Sequence, residues 1–238
     1  MSVRRLIVVL SLSLAPIGPI SAALGQSVDH PGPRTLVSGE HAAIAGLILL
    51  AAGIGDEGLR EEFQEHRSAA TNSLGRVGNA VGDPRYMVPA IGVSYLAGWL
   101  TGNQNVTRLA WRAGHAVLVA SGVTTALKYT IGRTRPSGDG DSDHFQPFGG
   151  ATSFPSGHTT LAFAVATVIA DETHDGWSDP LVYGAAGLTA FARVNNDRHW
   201  VSDVLAGAVV GHLSARWLSR REGALTLGPH AAGLSLQF

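Results

Sequence analysis

The sequence predicts an all-α fold: a single helical bundle of about six core helices, with the chemistry-bearing residues at one end of the bundle. Three observations predict it. Six apolar segments rich in Ala, Leu, Val and Gly are too long for typical strands. Hydrophobic residues make up 45% of the chain and charged residues only 15%, against roughly 25% in ordinary soluble domains. Three polar clusters fall at the ends of the apolar segments. This composition excludes a disordered chain. A formal net charge of −1 leaves no global field to hold nucleic acid, so none is expected as a partner. The chain has no cysteine, which removes disulfides, thiolate nucleophiles and Cys-based metal sites, and leaves ten histidines as candidate ligands, bases or nucleophiles.

Taken in order, Arg4 and Arg5 precede the apolar stretch 6–14, then Pro16, Pro19 and the small residues Ser21, Ala22, Ala23 and Gly25. This is the pattern of a secretory signal peptide over 1–25, since two prolines interrupt it before it reaches the ~20 apolar residues of a span. Its loss takes Arg4 and Arg5 and no acid, which moves the formal charge from −1 to −3. The expected location is therefore outside the cytoplasm, in a bacterial periplasm, with a multi-pass membrane protein as the second reading. Residues 26–39 read as an extended lead-in and 40–222 as the bundle domain. The tail, 223–238, alternates weakly and reads as a short strand or an ordered end. The six apolar segments are 42–54, 86–100, 113–131, 159–170, 181–194 and 204–218. The fourth, about a dozen residues before Asp171 and Glu172, has the length of a core helix and is short for a span. A compact helical domain is accordingly favoured over a membrane-embedded one. The charged segment 56–84, with Asp56, Glu57, Arg60 and Glu61, reads as a solvated amphipathic helix and loop, and 137–153 as a loop beside the site.

Three clusters carry chemistry. Lys128 and Arg135 are seven residues apart, close to two helical turns, which would put both on one face, with Pro136 ending the helix. A basic helix C-terminus would explain Arg133 and Arg135 but explains Lys128 less readily, because it sits in an apolar run. Pro155-Ser156-Gly157-His158 leads into an apolar helix, where Ser156 can cap and Gly157 lets a ligand approach the free N–H groups. An ordinary cap with a surface histidine is the plainer account of that cluster taken alone. The third is Arg193, His199 and Asp203. If a helix begins near His199, Asp203 lies one turn on, and its carboxylate fixes the imidazole tautomer and aims the other nitrogen. A structural His–Asp pair would look the same. His144 and His174 lack a metal-binding spacing and read as solvated loop histidines.

The order K-x6-R-P, P-S-G-H, R-x5-H-x3-D resembles the signature of the type 2 phosphatidic acid phosphatase (PAP2) and vanadium haloperoxidase superfamily. One departure is visible: Ala192 stands before Arg193 where the family usually has Ser. The resemblance implies a metal-independent phosphatase acting on phosphomonoesters, whether lipid phosphates or small soluble esters. His199 would be the nucleophile, forming a phosphohistidine, with Asp203 orienting it and His158 the general acid/base. Lys128, Arg135, Ser156, Gly157 and Arg193 would bind the phosphate. No cofactor or metal is implied, and vanadate would inhibit by mimicking the transition state. A vanadate-dependent haloperoxidase would use the same anion site with vanadate as cofactor. A non-enzymatic envelope module would let the ionisable residues degenerate, yet all of them are present.

Overall fold

The computed structural model describes residues 39–137, 141–173 and 177–222. The signal peptide, most of the lead-in, His174 and the tail lie outside the described residues. Seven α-helices run through the rest, in order α1 (Gly39–Glu65), α2 (Ala69–Gly82), α3 (Pro84–Thr101), α4 (Gln104–Ile131), α5 (Gly157–Thr173), α6 (Ser178–Asn195) and α7 (Val201–Glu222). The fold is all-α, and each of the six apolar segments lies in its own helix. The additional helix is α2, within the segment read as a solvated helix and loop. It was hidden because its packing face is glycine, not a large apolar residue. Gly75, Gly78 and Gly82 are buried, and a Cβ on Gly78 would overlap the Leu188 carbonyl of α6.

Helix ends are set by local chemistry. Ser68 caps α2 reciprocally with Thr71, and Asp83 caps α3 by accepting from Arg85 N, with Pro84 opening the helix. Helix α4 stops at Gly132 (φ 60°), whose N–H donates to the Lys128 carbonyl. Only glycine fits there, because a Cβ would overlap the Gln146 carbonyl oxygen. The stop thus comes before Pro136, and Arg135 lies beyond the helix, not on a shared face with Lys128.

Helix α5 is the centre of the bundle. Its buried face, Leu161, Ala164 and Val168, packs with Ala113, Ala116, Val117 and Ala120 of α4 and Ala215 of α7. Against α7 the approach is backbone to backbone: a Cβ on Gly211 would overlap the Thr160 carbonyl, and one on Gly207 would lie 2.7 Å from the Ser156 carbonyl. This small-xxx-small stripe lets helices approach without large side chains between them. We expect Gly211→Ala to cost about 2 kcal/mol through forced separation of α5 and α7, read as a lowered melting temperature of the purified protein.

The interior is built mainly of alanine, while many large apolar residues face outward. They include Leu47, Leu50 and Ile54 on α1, Val93, Leu96 and Leu100 on α3, and Leu118 and Val123 on α4. Polar chemistry gathers beyond this apolar belt at both ends. At one end Glu172 pairs with Arg108 and Arg112, and Asp171 with Arg216. At the other end lie the helix termini that carry the candidate site.

Candidate active site

Six helix ends converge on the site: the end of α2 and the start of α3 at their junction, the last turn of α4, and one end each of α5, α6 and α7. His199 lies in the segment between α6 and α7, two residues before α7 begins, so it is outside the helix expected to carry it. Asp203 sits in the first turn of α7 and reaches back, its Oδ2 accepting from Trp200 N (3.0 Å) and meeting His199 Nδ1 at 3.3 Å. That contact fixes Nδ1 as the protonated nitrogen and leaves the lone pair on Nε2. His199 is 3% exposed. Burial, partly offset by Asp203, pushes its pKa down to about 4, so the imidazole is neutral at neutral pH.

Asp203 is fully buried and heavily supported. Ser153 Oγ donates to its Oδ2 (2.5 Å) and Arg133 Nη1 to its Oδ1 (3.1 Å). Burial opposes its ionisation, but His199, Ser153 and Arg133 together hold the carboxyl below the ordinary range. Arg133 also donates from Nη2 to Asp56 Oδ2 (2.8 Å), from Nη1 to Ser202 Oγ (2.6 Å) and from Nε to the Ser142 carbonyl. Asp56 in turn accepts from Ser202 N (2.9 Å) and the Ser202 hydroxyl. Asp56 is thus fully buried, contrary to its reading as part of a solvated face, and Arg133 is a bridge between two carboxylates, not a helix-dipole complement. Sequence reasoning missed Asp56, Arg133, Ser153 and Ser202. The available signal was an aspartate continuing an apolar helix directly after Ile54 and Gly55.

The cations surround this pair. Lys128 Nζ donates to the carbonyls of Pro155 (2.7 Å) and Thr152 (2.5 Å), so it clamps the segment leading into α5. Arg193 Nη1 donates to Asn79 Oδ1 (2.8 Å), while its Nε is buried without a hydrogen-bond partner. Burial and the neighbouring Arg135 and Arg198 lower the Arg193 pKa to about 10. Burial and Arg135 lower Lys128 to about 8. Such mutual repulsion is relieved by an anion placed between the groups. Arg135 reaches Thr152 Oγ1 at 3.5 Å from the loop beyond α4. Ser156 is buried, its Oγ accepting from the Thr159 hydroxyl (3.0 Å) and its N donating to the Asp203 carbonyl (2.9 Å). A Cβ on Gly157 would make ordinary contacts with Lys128 and Thr124, so packing alone does not demand glycine there.

His158 lies in the first turn of α5 and lines a cavity of about 330 Å³ with Asp83, Arg193 and Arg198. Burial, reinforced by Arg193, pushes its pKa down to about 4. An anion beside Arg193 and Arg135 would cancel their repulsion and draw the proton back. Both histidines therefore stay neutral in the fold while an unfolded chain would protonate them near pH 6.5. The sign follows: acidification from about 6.5 to about 4 protonates only the unfolded state, so stability falls with pH across that window. Melting temperature against pH checks this, and His158→Gln should flatten the slope. Of the histidines set aside as loop residues, His144 meets Gln146 at 2.8 Å. Among the described residues, no group of three or more His, Asp or Glu is placed to hold a metal ion.

At one end the bundle gathers a carboxylate-backed histidine, a second histidine and three cations, groups with the charge and the lone pair to hold an oxyanion and attack it. Residues 109–226 match the model of the PAP2 superfamily, and the chain belongs to that superfamily. A stretch of 103 residues is 41% identical to lipid A 1-phosphatase of Porphyromonas gingivalis, covering 41% of this chain and 21% of the relative, so the chain spans about a fifth of that protein's length. The fold is similar to the crystal structure of LpxE of Aquifex aeolicus, with TM-score 0.56 and 18% identity over 69% of this chain and 94% of that one. It is also similar to a transmembrane PAP2-type phosphatidylglycerolphosphate phosphatase of Bacillus subtilis, with TM-score 0.55 and 18% identity over 79% and 98%.

Proposed function

We propose that this protein is a membrane-embedded phosphatase that hydrolyses a lipid phosphomonoester through a phosphohistidine, without a metal. The observation that carries the reaction is the buried Asp203–His199 pair set among Lys128, Arg135 and Arg193. His199 Nε2 attacks phosphorus, a P–N bond forms and the P–O bond to the leaving alkoxide breaks. His158 gives that oxygen its proton. A water then attacks phosphorus, His158 takes its proton, and the P–N electron pair returns to Nε2 as inorganic phosphate leaves. The cations and the N–H groups at the start of α5 stabilise the charge on the equatorial oxygens. The named relative, a lipid A 1-phosphatase, supports the reaction type.

Three features support a lipid substrate and a membrane setting. An apolar groove of about 480 Å³ runs between α3, α4, α5 and α6, lined by Tyr86, Met87, Ile91, Leu109 and Val165. Two of its residues, Tyr86 and Met87, directly follow Arg85, which lines the polar cavity with Asp83. The outward belt of large apolar residues also suits hydrocarbon better than water, with Trp99 and Trp177 towards one end and Tyr86 and Tyr129 towards the other. Helix α1 is long and apolar enough to cross a bilayer over 42–65. Export through residues 1–25 would place the site on the outer side of the membrane, in the periplasm. The test is phosphate release by detergent-purified protein from dispersed phosphatidate beside p-nitrophenyl phosphate, with EDTA and with vanadate. Release that resists EDTA, is blocked by vanadate and favours the lipid supports the reading. Loss of activity in EDTA, or a preference for the soluble ester, refutes it in the corresponding part.

A further inference from the structure

Arg60 of α1 grips the segment that carries His199, and no step above uses it. Helix α6 ends at Asn195, and the chain turns through Asn196 and Asp197 before it reaches His199. Two hydrogen bonds close the turn: Asp197 N donates to the Val194 carbonyl (2.9 Å) and Arg198 N to the Arg193 carbonyl (3.0 Å). That is the double closure of a helix end whose left-handed position glycine usually fills. Here the position holds Asp197, with φ 55°. Its Cβ crowds the neighbouring carbonyl in that conformation, so the turn is less self-sufficient than one built on glycine.

The support comes from α1. Arg60 takes both carboxylate oxygens of Asp197 in a fork, Nε to Oδ1 at 2.7 Å and Nη2 to Oδ2 at 2.8 Å. The same guanidinium lies 5.8 Å from the centre of the Trp200 ring, and Arg133 lies 5.3 Å from it. Trp200 is buried, and its Nε1 donates to the Thr134 carbonyl (3.0 Å). One side chain therefore touches residues 197 and 200, with His199 between them. Asp56 and Gln64, one turn to either side on the same face of α1, hold the same stretch. Asp56 accepts from Ser202 N (2.9 Å), and Gln64 Nε2 donates to the Val194 carbonyl (3.3 Å). Among the described residues the imidazole itself has one side-chain partner, Asp203, at 3.3 Å. That contact fixes the tautomer, while the position of Nε2 follows the backbone at 199. In-line transfer tolerates little displacement: a misplacement of about 1 Å can cost about 10²-fold in rate.

We propose that Arg60 is a positioning residue for phosphoryl transfer: by holding Asp197 in its left-handed conformation and backing Trp200, it sets the backbone from which His199 Nε2 is aimed at phosphorus. The inference rests on the phosphatase reading and deepens it. Arg60 does not line the cavity beside His158, so it acts through His199 and not on the phosphate. It also stands outside residues 109–226, so the clamp is supplied by the part of the chain that precedes the matched region.

The test measures kcat and KM on dispersed phosphatidate, beside melting, for Arg60→Gln, Asp197→Ala, Asp197→Gly and the double variant Arg60→Gln/Asp197→Gly. We expect kcat to fall about tenfold in Arg60→Gln and in Asp197→Ala, with KM close to that of wild type. Glycine adopts a positive φ without strain, so Asp197→Gly should keep kcat within about threefold. Added to Arg60→Gln, it should recover most of the loss. A pair that only stabilises the fold would lower the melting temperature and leave the kcat of the folded enzyme unchanged, and that result overturns the proposal. So does a raised KM with unchanged kcat, or an Asp197→Gly variant as slow as Asp197→Ala. If Arg60→Gln does not fold, the contrast between the two Asp197 variants decides. Vanadate separates failure of this proposal from failure of the phosphatase reading. It binds by taking an in-line bond from the nucleophile, whereas inorganic phosphate needs only the cations. Read from melting shifts in detergent, vanadate affinity should fall about tenfold in Arg60→Gln while phosphate affinity holds, whether or not any substrate is turned over. Equal changes for the two anions, or none, overturn the proposal.

Discussion

Replacing His199 by Ala should reduce phosphate release by about 10⁴-fold or more, the scale seen when the nucleophile of a coupled constellation is lost. No other described group is placed to take over. His158 stands on α5 in the cavity beside Arg193, while the lone pair aimed by Asp203 belongs to His199 alone. The fold should survive, because Asp203 keeps Ser153, Trp200 N and Arg133 as partners after the imidazole is removed. Steady-state release beside circular dichroism and melting of the variant checks both halves. Labelling separates nucleophile from base: rapid quenching of the wild type should trap phosphate that is stable in base and released by acid, and His199→Ala should trap none. A variant that still forms the labelled intermediate would assign the nucleophile elsewhere.

The second large effect is expected at Arg133, which from sequence reads as part of a basic helix C-terminus. Its guanidinium joins Asp56 and Asp203, all three side chains being almost wholly buried. Removing the cation leaves two buried carboxylates facing each other, a change that typically costs about 3–5 kcal/mol. Arg133→Met should therefore lower the melting temperature sharply. It should also lower kcat, because Asp203 is then drawn towards protonation and holds His199 less well. Asp56→Asn keeps the shape but removes one of the charges, so its loss should be smaller, about 1–3 kcal/mol. The double variant should be more stable than the two separate losses predict, because the unpaired charges are removed together. Additive losses would show that the bridge does not couple the two aspartates.

What could be read without coordinates depended on the reach of the chemistry involved. Lys128, His158, Arg193, His199 and Asp203 announce themselves because a charge at the end of an apolar helix is costly unless it has a task. The spacing of His199 and Asp203 gave their contact correctly but not its form, since α7 starts at Val201 and Asp203 reaches backwards to make it. The stop at Gly132 was missed in favour of Pro136, as both end helices and only the packing of Gln146 against Gly132 distinguishes them. Asp56 was hidden by its company. Glu57, Arg60 and Glu61 beside it suggest a solvated face, and its partners Arg133 and Ser202 are 77 and 146 residues away. Helix α2 was hidden for another reason: its large apolar residues Leu74, Val77 and Val81 face outward, and the face that packs on α6 is a stripe of glycines.

The sequence by itself therefore determined the all-helical class, the six apolar helices, and the residues that meet at the end of the bundle. Those follow from local rules: periodicity, helix-ending residues, and short-range spacing of charges. Only the tertiary structure decided which charges are buried, that small residues fill the interior while large ones face outward, and that Arg67 and Arg198 line one cavity with His158 and Arg193. Each of those is a relation between segments far apart in the chain. Burial and pairing are properties of the packed helices together, and no single stretch of residues carries them.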